Sequence, residues 1–205
     1  MSSATPQRVF LGVTGASGAV YAQRLLATLA ENGCEVALCV SDSGVLVLRH
    51  ELELPDAGRE ATVAALVERA GAVAVTRTYE PDDLAAPAAS GSAATDAVVV
   101  CPCSMSTAAH IALGTSRNLI HRAADVALKE RRRLVVVPRE TPLSSIHLRR
   151  LLELSEAGAV VLPAAPGFYA RPQSLADVVD HVVGKTLAAL GFEQRLFPPW
   201  DGGAR

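Results

Sequence analysis

The stretch VFLGVTGASG, residues 9–18, decides the fold. Residues 9–13 form an apolar run, which is typical of a strand buried on both faces, as in a parallel sheet. Residues 14–18 contain two glycines, which permit a tight turn, and the leucines of residues 17–32 recur at helical spacing. A buried strand, a glycine-containing turn and a helix in this order predict the first unit of an α/β domain.

The same alternation of short apolar runs and helical segments continues to residue 190. Further strands are predicted at residues 35–40, 73–75, 97–101, 134–137 and 159–162. Further helices are predicted at residues 43–52, 59–70, from about 104, 121–132, 145–157 and 174–190, with a loop at 80–92. We therefore expect an α/β fold, a single Rossmann-like (flavodoxin-type) three-layer domain with a mostly parallel sheet. We expect the domain to span residues 1–205, with a core at about 8–190 and a C-terminal tail at 191–205 that is expected to pack on a neighbouring subunit.

Composition excludes several classes of protein. The 205 residues carry 19 basic and 21 acidic side chains, a net charge of −2, which excludes the basic surface that dominates nucleic-acid binding. No apolar run is long enough to cross a bilayer or to form a secretion signal, so we expect a cytoplasmic protein with no membrane partner. The four cysteines lack zinc spacing, so we expect buried or loop thiols and no metal site. His110, His121 and His147 are predicted to be structural.

Doubly wound sheets bind ligands outside the carboxyl ends of their strands, so the residues after each strand are the candidates for a site. Gly15, Ala16 and Ser17 come after the first strand, at a helix start where unpaired backbone N–H groups favour an anion. Residues 104–107, Ser-Met-Ser-Thr, form a second such start. Each alone is compatible with an ordinary helix cap, but together with Ser41 they favour one shared phosphate- or nucleotide-binding crevice. Because Ser41 stands where an NAD-binding domain has an acidic residue, a standard NAD site is not supported.

Charged residues follow the strand at 134–137. Arg139 and Glu140 lie between two prolines, and an arginine can bind phosphate through two nitrogens while a glutamate can move a proton. An isolated pair of this kind is more often surface decoration, but its place after a buried strand favours a role in the site. Arg122 and Lys129 are two helical turns apart and share a helix face. Lys185, taken alone, is typical of a solvated lysine.

Six segments of the chain carry recognisable motifs. They are VTGASGA at 13–19, PAASGS at 87–92, CPCS at 101–104, RAADVALKERR at 122–132, VPRETPLSSIHL at 137–148 and LPAAPGFY at 162–169. In sequence and order they resemble the flavin prenyltransferases of the UbiX family. The resemblance extends over nearly the whole chain, from Val9 to about Trp200.

The resemblance implies an enzyme that binds reduced FMN and transfers a dimethylallyl group from dimethylallyl phosphate to N5 and C6 of the flavin, without a metal. The product, prenylated FMN, is expected to serve as cofactor of a UbiD-type decarboxylase. The resemblance also implies a homododecamer with sites at subunit interfaces.

By position, the resemblance assigns residues to three roles. The FMN-binding set is Gly15, Ala16, Ser17, Ser41, Ser104, Met105, Ser106, Thr107 and Arg139. The set for the prenyl donor is Ser90, Gly91, Arg122, Lys129, Glu140, Tyr169, Lys185 and Trp200. The catalytic set is Glu140, Ser17, Glu51 and Lys129. Within these sets, Glu140 is the candidate acceptor of the flavin ring proton, Glu51 is expected near the flavin, and Trp200 is expected to cover a neighbouring site.

Two positions depart from the family pattern, and two other functions compete. Met105 stands where many members have threonine, and Arg117 where asparagine is common; neither change removes a proposed chemical group. Related flavoproteins that decarboxylate cysteine derivatives carry a Pro-x-Met-Asn-x-x-Met motif. This motif is impossible here because the methionines of the chain are only Met1 and Met105, far apart. An FMN-binding carrier, or a decarboxylase-associated flavoprotein without transferase activity, stays open.

Overall fold

The computed structural model describes residues 7–200 and residue 202, and this part of the chain alternates strands with helices. The strands are β1 (Arg8–Val13), β2 (Glu35–Val40), β3 (Thr76–Tyr79), β4 (Ala97–Cys103), β5 (Arg133–Pro138) and β6 (Val160–Val161). The helices are α1 (Ala19–Glu31), α2 (Asp42–Leu52), α3 (Arg59–Arg69), α4 (Met105–Ala112), α5 (Leu119–Lys129), α6 (Ser145–Glu156) and α7 (Leu175–Leu190), with a 3₁₀ turn at Pro87–Ala89. Among the described residues, no helix is both long and apolar enough to cross a bilayer.

The six strands form one parallel sheet in the order β3-β2-β1-β4-β5-β6. β1 and β2 pair in register along their full lengths, from Arg8 opposite Glu35 to Val13 opposite Val40. From β1 the chain adds β2 and β3 on one side, and β4, β5 and β6 then follow on the other side. Sheets of this kind bind ligands outside the carboxyl ends of the two strands where the order reverses, here β1 and β4. The predicted Rossmann-like parallel sheet is confirmed, and its strand order is the Rossmann order.

The sheet separates two apolar cores, because successive residues of a strand point to opposite faces. Leu11 belongs to the core shared with α1, α2, α3 and α7. Phe10 belongs to the core shared with α4, α5, α6 and the 3₁₀ turn. Gly12 faces the second core, where a Cβ would lie 2.7 Å from Ile120 Cγ2. A glycine at this position therefore lets α5 lie directly on the central strand.

The third strand differs from its prediction. Residues 73–75 were expected to form it, but the pairing with β2 runs through Thr76–Tyr79. β3 is an edge strand, and its two central residues, Arg77 and Thr78, are exposed. Because a half-exposed edge strand needs no continuous apolar run, hydrophobicity does not mark it in the sequence.

Helix α5 is displaced from the predicted range of 121–132. It begins at Leu119 because Asn118 caps it, with the amide oxygen accepting a hydrogen bond from His121 N at 3.0 Å. It ends at Lys129, and Arg131 then takes a left-handed conformation with φ 56°. The charged residues after Lys129 therefore leave the helix axis instead of continuing it.

The C-terminal tail folds back on α7 of its own chain. A Cβ at Gly184 would lie 2.7 Å from Phe197 Cε1, and the rings of Trp200 and Tyr169 meet edge-on with centroids 5.9 Å apart. The packing of the tail on a neighbouring subunit stays a prediction, and residues 201 and 203–205 lie outside the described residues.

Candidate functional site

Four loops meet at the carboxyl edge of the sheet. They follow β1, β2, β4 and β5 and carry residues 15–17, Ser41, 104–107 and Arg139. Thr14 N donates to Pro102 O at 3.2 Å, which ties the first loop to the end of β4. Arg139 N donates to Cys103 O at 3.3 Å, which ties the loop after β5 to the same strand. The structure therefore brings the predicted FMN-binding set together at the carboxyl ends of these strands, a site that we call the crevice.

The side chain of Thr14 is the main link between the loops after β1 and β4. Its hydroxyl donates to Pro102 O at 2.8 Å and accepts from Ser104 N at 2.7 Å. Thr14 is 1% exposed, so water has no access to replace either bond. The buried hydroxyl of Thr14 therefore adds two hydrogen bonds to the backbone bond that already ties the α4 start to the first loop.

Replacing Thr14 with valine is expected to lower the free energy of unfolding by about 2 kcal/mol, because valine has the same shape but leaves Ser104 N without its acceptor. FMN binding is expected to weaken with it, since the two loops lose their link. Urea unfolding and titration of FMN fluorescence measure the two effects. Thr14→Ser is the matched control: it keeps the hydroxyl, loses one methyl and is expected to cost about 1 kcal/mol or less. Equal stability of the valine and serine variants would contradict the assigned role.

Ser41 and Ser104 both cap helices. Ser41 Oγ accepts from Gly44 N at 3.1 Å at the start of α2, and Ser104 Oγ accepts from Thr107 N at 3.2 Å at the start of α4. These bonds fix both loops against their helices. Met105 is buried in the second core, so it supplies packing, and only its backbone remains for contact with a ligand.

The first turn of α1 already has an anionic partner. Glu51 Oε2 accepts from the N–H groups of Gly18 at 2.9 Å and Ala19 at 2.8 Å, so the expectation that this helix start is unpaired is wrong for these two groups. Partial burial acts to raise the pKa of Glu51. Hydrogen bonds from the Ser17 side chain and the two N–H groups, with the charge of Arg139, outweigh burial and hold that pKa below its usual value. Glu51 is therefore ionised at neutral pH.

Arg139 is the cation of the crevice. Its Nε donates to Ser17 O at 3.1 Å, which fixes the guanidinium over the first loop. Within residues 7–200, its two terminal nitrogens have no hydrogen-bond partner. A guanidinium held at one nitrogen and open at the other two is suited to bind a phosphate.

Glu140 lies exposed beside Arg139. Its Oε1 accepts from Thr141 N at 3.1 Å, so the carboxylate is held against its own loop. The remaining lone pairs of the carboxylate face solvent, and they can accept a proton from a ligand in the crevice.

A second group of predicted residues lies on α5 and the loop before β4. It consists of Ser90, Gly91, Arg122 and Lys129. Arg122 Nε donates to Ala89 O at 3.0 Å. Lys129 pairs with Glu130 beside the same loop, where a Cβ on Gly91 would lie 2.7 Å from Lys129 Nζ. These contacts place two cations against the loop at 89–91.

β5 separates the second group from the crevice. Lys129 precedes this strand and Glu140 follows it. At about 3.3 Å per residue the strand spans roughly 17 Å. Arg132, just before β5, donates to Gly91 O at 2.5 Å, which holds the loop at the amino edge of the sheet. Within one chain, Lys129 and Glu140 are too far apart to bind the same phosphate.

A third group gathers on α7 and consists of Tyr169, Lys185 and Trp200. Tyr169 Oη lies 3.1 Å from His181 Nε2, and its ring packs edge-on to Trp200. Lys185 follows His181 by one helical turn. Burial, and after it the charge of Lys185, lower the pKa of His181. No hydrogen bond or ion pair among the described residues joins one of the three groups to another.

Other chemically active side chains serve packing. All four cysteines are buried thiols, as predicted, and burial raises the pKa of Cys101 to about 12. His121 stacks on His110 with ring centroids 4.8 Å apart, and burial, with smaller effects of His110 and Arg117, lowers the pKa of His121 to about 4. Both histidines fit the structural role expected of them. Across the residues that the structure describes, no three His, Cys, Asp or Glu side chains are placed to bind a metal.

Sequence reasoning did not assign Thr14 or His181 to the site. The available signal for Thr14 was its position as the first polar residue after a buried strand. His181 has no such signal, because its partners Tyr169 and Gly167 lie 12 and 14 residues away in the chain.

Comparison with known proteins places this geometry in a family. The sequence profile of the Flavoprotein family matches residues 2–187. The flavin prenyltransferase UbiX of Pseudomonas aeruginosa is 51% identical over 197 residues, which are 95% of this chain and 94% of that protein.

Two solved structures resemble the chain over nearly its whole length. AnUbiX (PadA1), in complex with FMN and dimethylallyl pyrophosphate, has a TM-score of 0.85 at 38% identity and covers 97% of this chain and 99% of its own. A dodecameric FMN-dependent UbiX-like decarboxylase from Escherichia coli O157:H7 has a TM-score of 0.83 at 39% identity, with coverages of 95% and 100%.

Proposed function

Because the chain belongs to the Flavoprotein family and, within it, to the flavin prenyltransferases of the UbiX type, we propose that it transfers a dimethylallyl group from dimethylallyl phosphate to reduced FMN. The observation that carries the proposal is the convergence of four loops at the carboxyl edge on Arg139 and the neighbouring carboxylate of Glu140. Two nitrogens of Arg139 have no hydrogen-bond partner among the residues that the structure describes.

The crevice fits FMN by its chemistry. Arg139 offers a fixed cation, and the capping serines Ser41 and Ser104 hold backbone and hydroxyl donors in place beside it. Glycine at position 15 lets this loop lie directly against the start of α2, because a Cβ there would lie 2.4 Å from Ser43 Oγ. Reduced FMN supplies the electron-rich N5 and C6 atoms to which the prenyl group becomes attached.

The chain's own charged groups act on the leaving phosphate and on a proton. When the allylic C–O bond breaks, the electron pair stays on the phosphate oxygen, so nearby cations stabilise the transition state. Lys185 and Tyr169 suit this role, together with Arg122 and Lys129. Attachment at C6 consumes the double bond of the prenyl group, which takes up one proton while C6 releases another, and Glu140 is the proposed acceptor of the ring proton.

We infer that each site is completed by neighbouring copies of the chain. Lys129 lies at the amino edge of the sheet and Glu140 at the carboxyl edge, so one phosphate contacts both only if they come from different copies. An interface that joins two different edges is heterologous and closes into a symmetric ring or a larger assembly. The proposed assembly is a homododecamer, as in the E. coli structure.

We propose a cytoplasmic enzyme whose product, prenylated FMN, leaves to become the cofactor of a UbiD-type decarboxylase. The structural relative has dimethylallyl pyrophosphate bound, so the donor of this enzyme is to be tested as both monophosphate and pyrophosphate.

The test is an anaerobic reaction of the purified protein with dithionite-reduced FMN and dimethylallyl phosphate, followed by mass spectrometry of the flavin. The expected result is a gain of one C5H8 unit. Tight FMN binding without a gain in mass, with either the monophosphate or the pyrophosphate, would overturn the proposal and support an FMN carrier.

A further inference from the structure

The imidazole of His181 connects two parts of the loop that carries Tyr169. Gly167 N donates to His181 Nδ1 at 3.1 Å, and His181 Nε2 lies 3.1 Å from Tyr169 Oη. A backbone N–H is only a donor, so Nδ1 is the acceptor, and a neutral imidazole then carries its proton on Nε2. The second bond therefore runs from Nε2 to the phenolic oxygen of Tyr169.

The neutral form of the ring follows from its surroundings. His181 is 6% exposed, and burial, followed by the charge of Lys185, lowers the pKa of its imidazole. A protonated ring also has a hydrogen on Nδ1, which would face the N–H group of Gly167. Burial and charge thus favour the neutral ring, and the hydrogen bond from Gly167 N selects the tautomer with its proton on Nε2.

The ring is also held by contacts on two sides. Tyr169 packs edge-on at a centroid distance of 5.4 Å, and Phe197 packs against the ring at 4.6 Å. A Cβ on Gly167 would lie 2.8 Å from Tyr169 Cε1 and 3.0 Å from His181 Nε2, so the loop has no room to shift toward the pair. The imidazole and the phenol therefore keep one relative orientation.

We propose that His181 is a positioning residue that fixes Tyr169 as a hydrogen-bond donor to the phosphate of the prenyl donor. The bond from Nε2 occupies one lone pair of the phenolic oxygen and leaves the hydroxyl proton of Tyr169 for another acceptor. A phosphate oxygen is such an acceptor, and Lys185, one turn along α7, supplies positive charge to the same ligand. This inference rests on the proposed function.

Two substitutions of His181 separate its two hydrogen bonds. Asparagine places its oxygen near the position of Nδ1, so His181→Asn keeps the acceptor for Gly167 but does not reach Tyr169. Glutamine places its amide nitrogen near the position of Nε2, so His181→Gln restores the donor to Tyr169. We expect His181→Asn to weaken binding of dimethylallyl phosphate about tenfold, the effect of one hydrogen bond, and His181→Gln to recover most of the loss.

Binding is measured by calorimetry on protein loaded with oxidised FMN, so that no turnover takes place. The dissociation constant of FMN itself is expected to stay unchanged in both variants. A matched control is His147→Asn, because His147 Nδ1 also accepts a backbone N–H, from Ser144 at 3.3 Å, and is not part of the site. An equal loss of FMN and dimethylallyl phosphate affinity in His181→Asn would overturn the proposal in favour of a merely structural role.

A double substitution tests whether the effect passes through Tyr169. In a Tyr169→Phe background the phenolic oxygen is absent, so His181→Asn is expected to cause no further loss of dimethylallyl phosphate affinity. Loss of the same size in both backgrounds would overturn the proposal.

The tautomer is measured without any ligand. The ¹⁵N shifts of histidine-labelled protein are expected to show His181 neutral at pH 7 with its proton on Nε2. A proton on Nδ1 would overturn this inference and leave the prenyl transfer reaction untouched. Conversely, absence of prenylated FMN in the anaerobic reaction would overturn the proposed function. The binding and tautomer measurements need no turnover, so they would still decide whether His181 positions Tyr169.

Discussion

Glu140→Gln is expected to lower the rate of prenylated FMN formation by about a hundredfold or more, the usual effect of removing a general base. Glutamine keeps an oxygen that accepts from Thr141 N, so the loop after β5 is expected to hold its shape. It cannot accept the proton that attachment at C6 releases. The rate is measured anaerobically from the mass and absorbance of the flavin, with FMN affinity determined in parallel.

The control for Glu140→Gln is Glu156→Gln, which makes the same change at an exposed position at the end of α6. This variant is expected to keep full activity and stability. Full turnover by Glu140→Gln, with complete attachment at both flavin atoms, would remove Glu140 from the mechanism. A loss of FMN affinity equal to the loss of rate would instead assign Glu140 to binding.

Mixed oligomers of Lys129→Met and Glu140→Gln chains are expected to regain about a quarter of normal activity, although each variant alone retains about one hundredth or less. If a site takes Lys129 from one copy and Glu140 from another, one arrangement in four contains both intact side chains. The two chains are to be co-expressed with different tags, purified as mixed assemblies and assayed for prenylated FMN.

A second mixture provides the control for this experiment. Arg139 and Glu140 lie side by side in one loop, so chains carrying Arg139→Met and Glu140→Gln are expected to show no recovery when mixed. Every site then contains one of the two defects. Failure of the first mixture to recover activity would contradict a site shared between copies. Recovery in both mixtures would indicate that Arg139 and Glu140 of one site come from different copies.

Some parts of this architecture were predictable from sequence because one physical rule governs each of them. The strand at residues 9–13 and the strand at 134–137 are apolar throughout, since a central parallel strand is covered on both faces. Arg139 and Glu140 were then placed at the site by their position after a buried strand. The position of β3 was not predicted correctly, because an edge strand does not require an apolar run. Its two central residues, Arg77 and Thr78, are exposed and polar.

The division of the site residues into three groups was not predictable in this way. Lys129 and Glu140 are only eleven residues apart in the chain, and the resemblance assigns both to the set for the prenyl donor. Only the paired length of β5 shows that they stand at opposite edges of the sheet. The role of His181 was not predictable for a related reason. The hydrogen-bond partners of its imidazole, Gly167 and Tyr169, lie in a loop more than ten residues earlier in the chain.

The carboxylate of Glu51 makes the start of α1 independent of a ligand. Gly18 and Ala19 donate to a carboxylate of the same chain, so these two N–H groups need no anion from a bound molecule. The hydrogen bonding of this first turn therefore does not rest on the flavin. Under the function proposed above, the modified flavin leaves the enzyme, and this turn keeps both hydrogen bonds when it does.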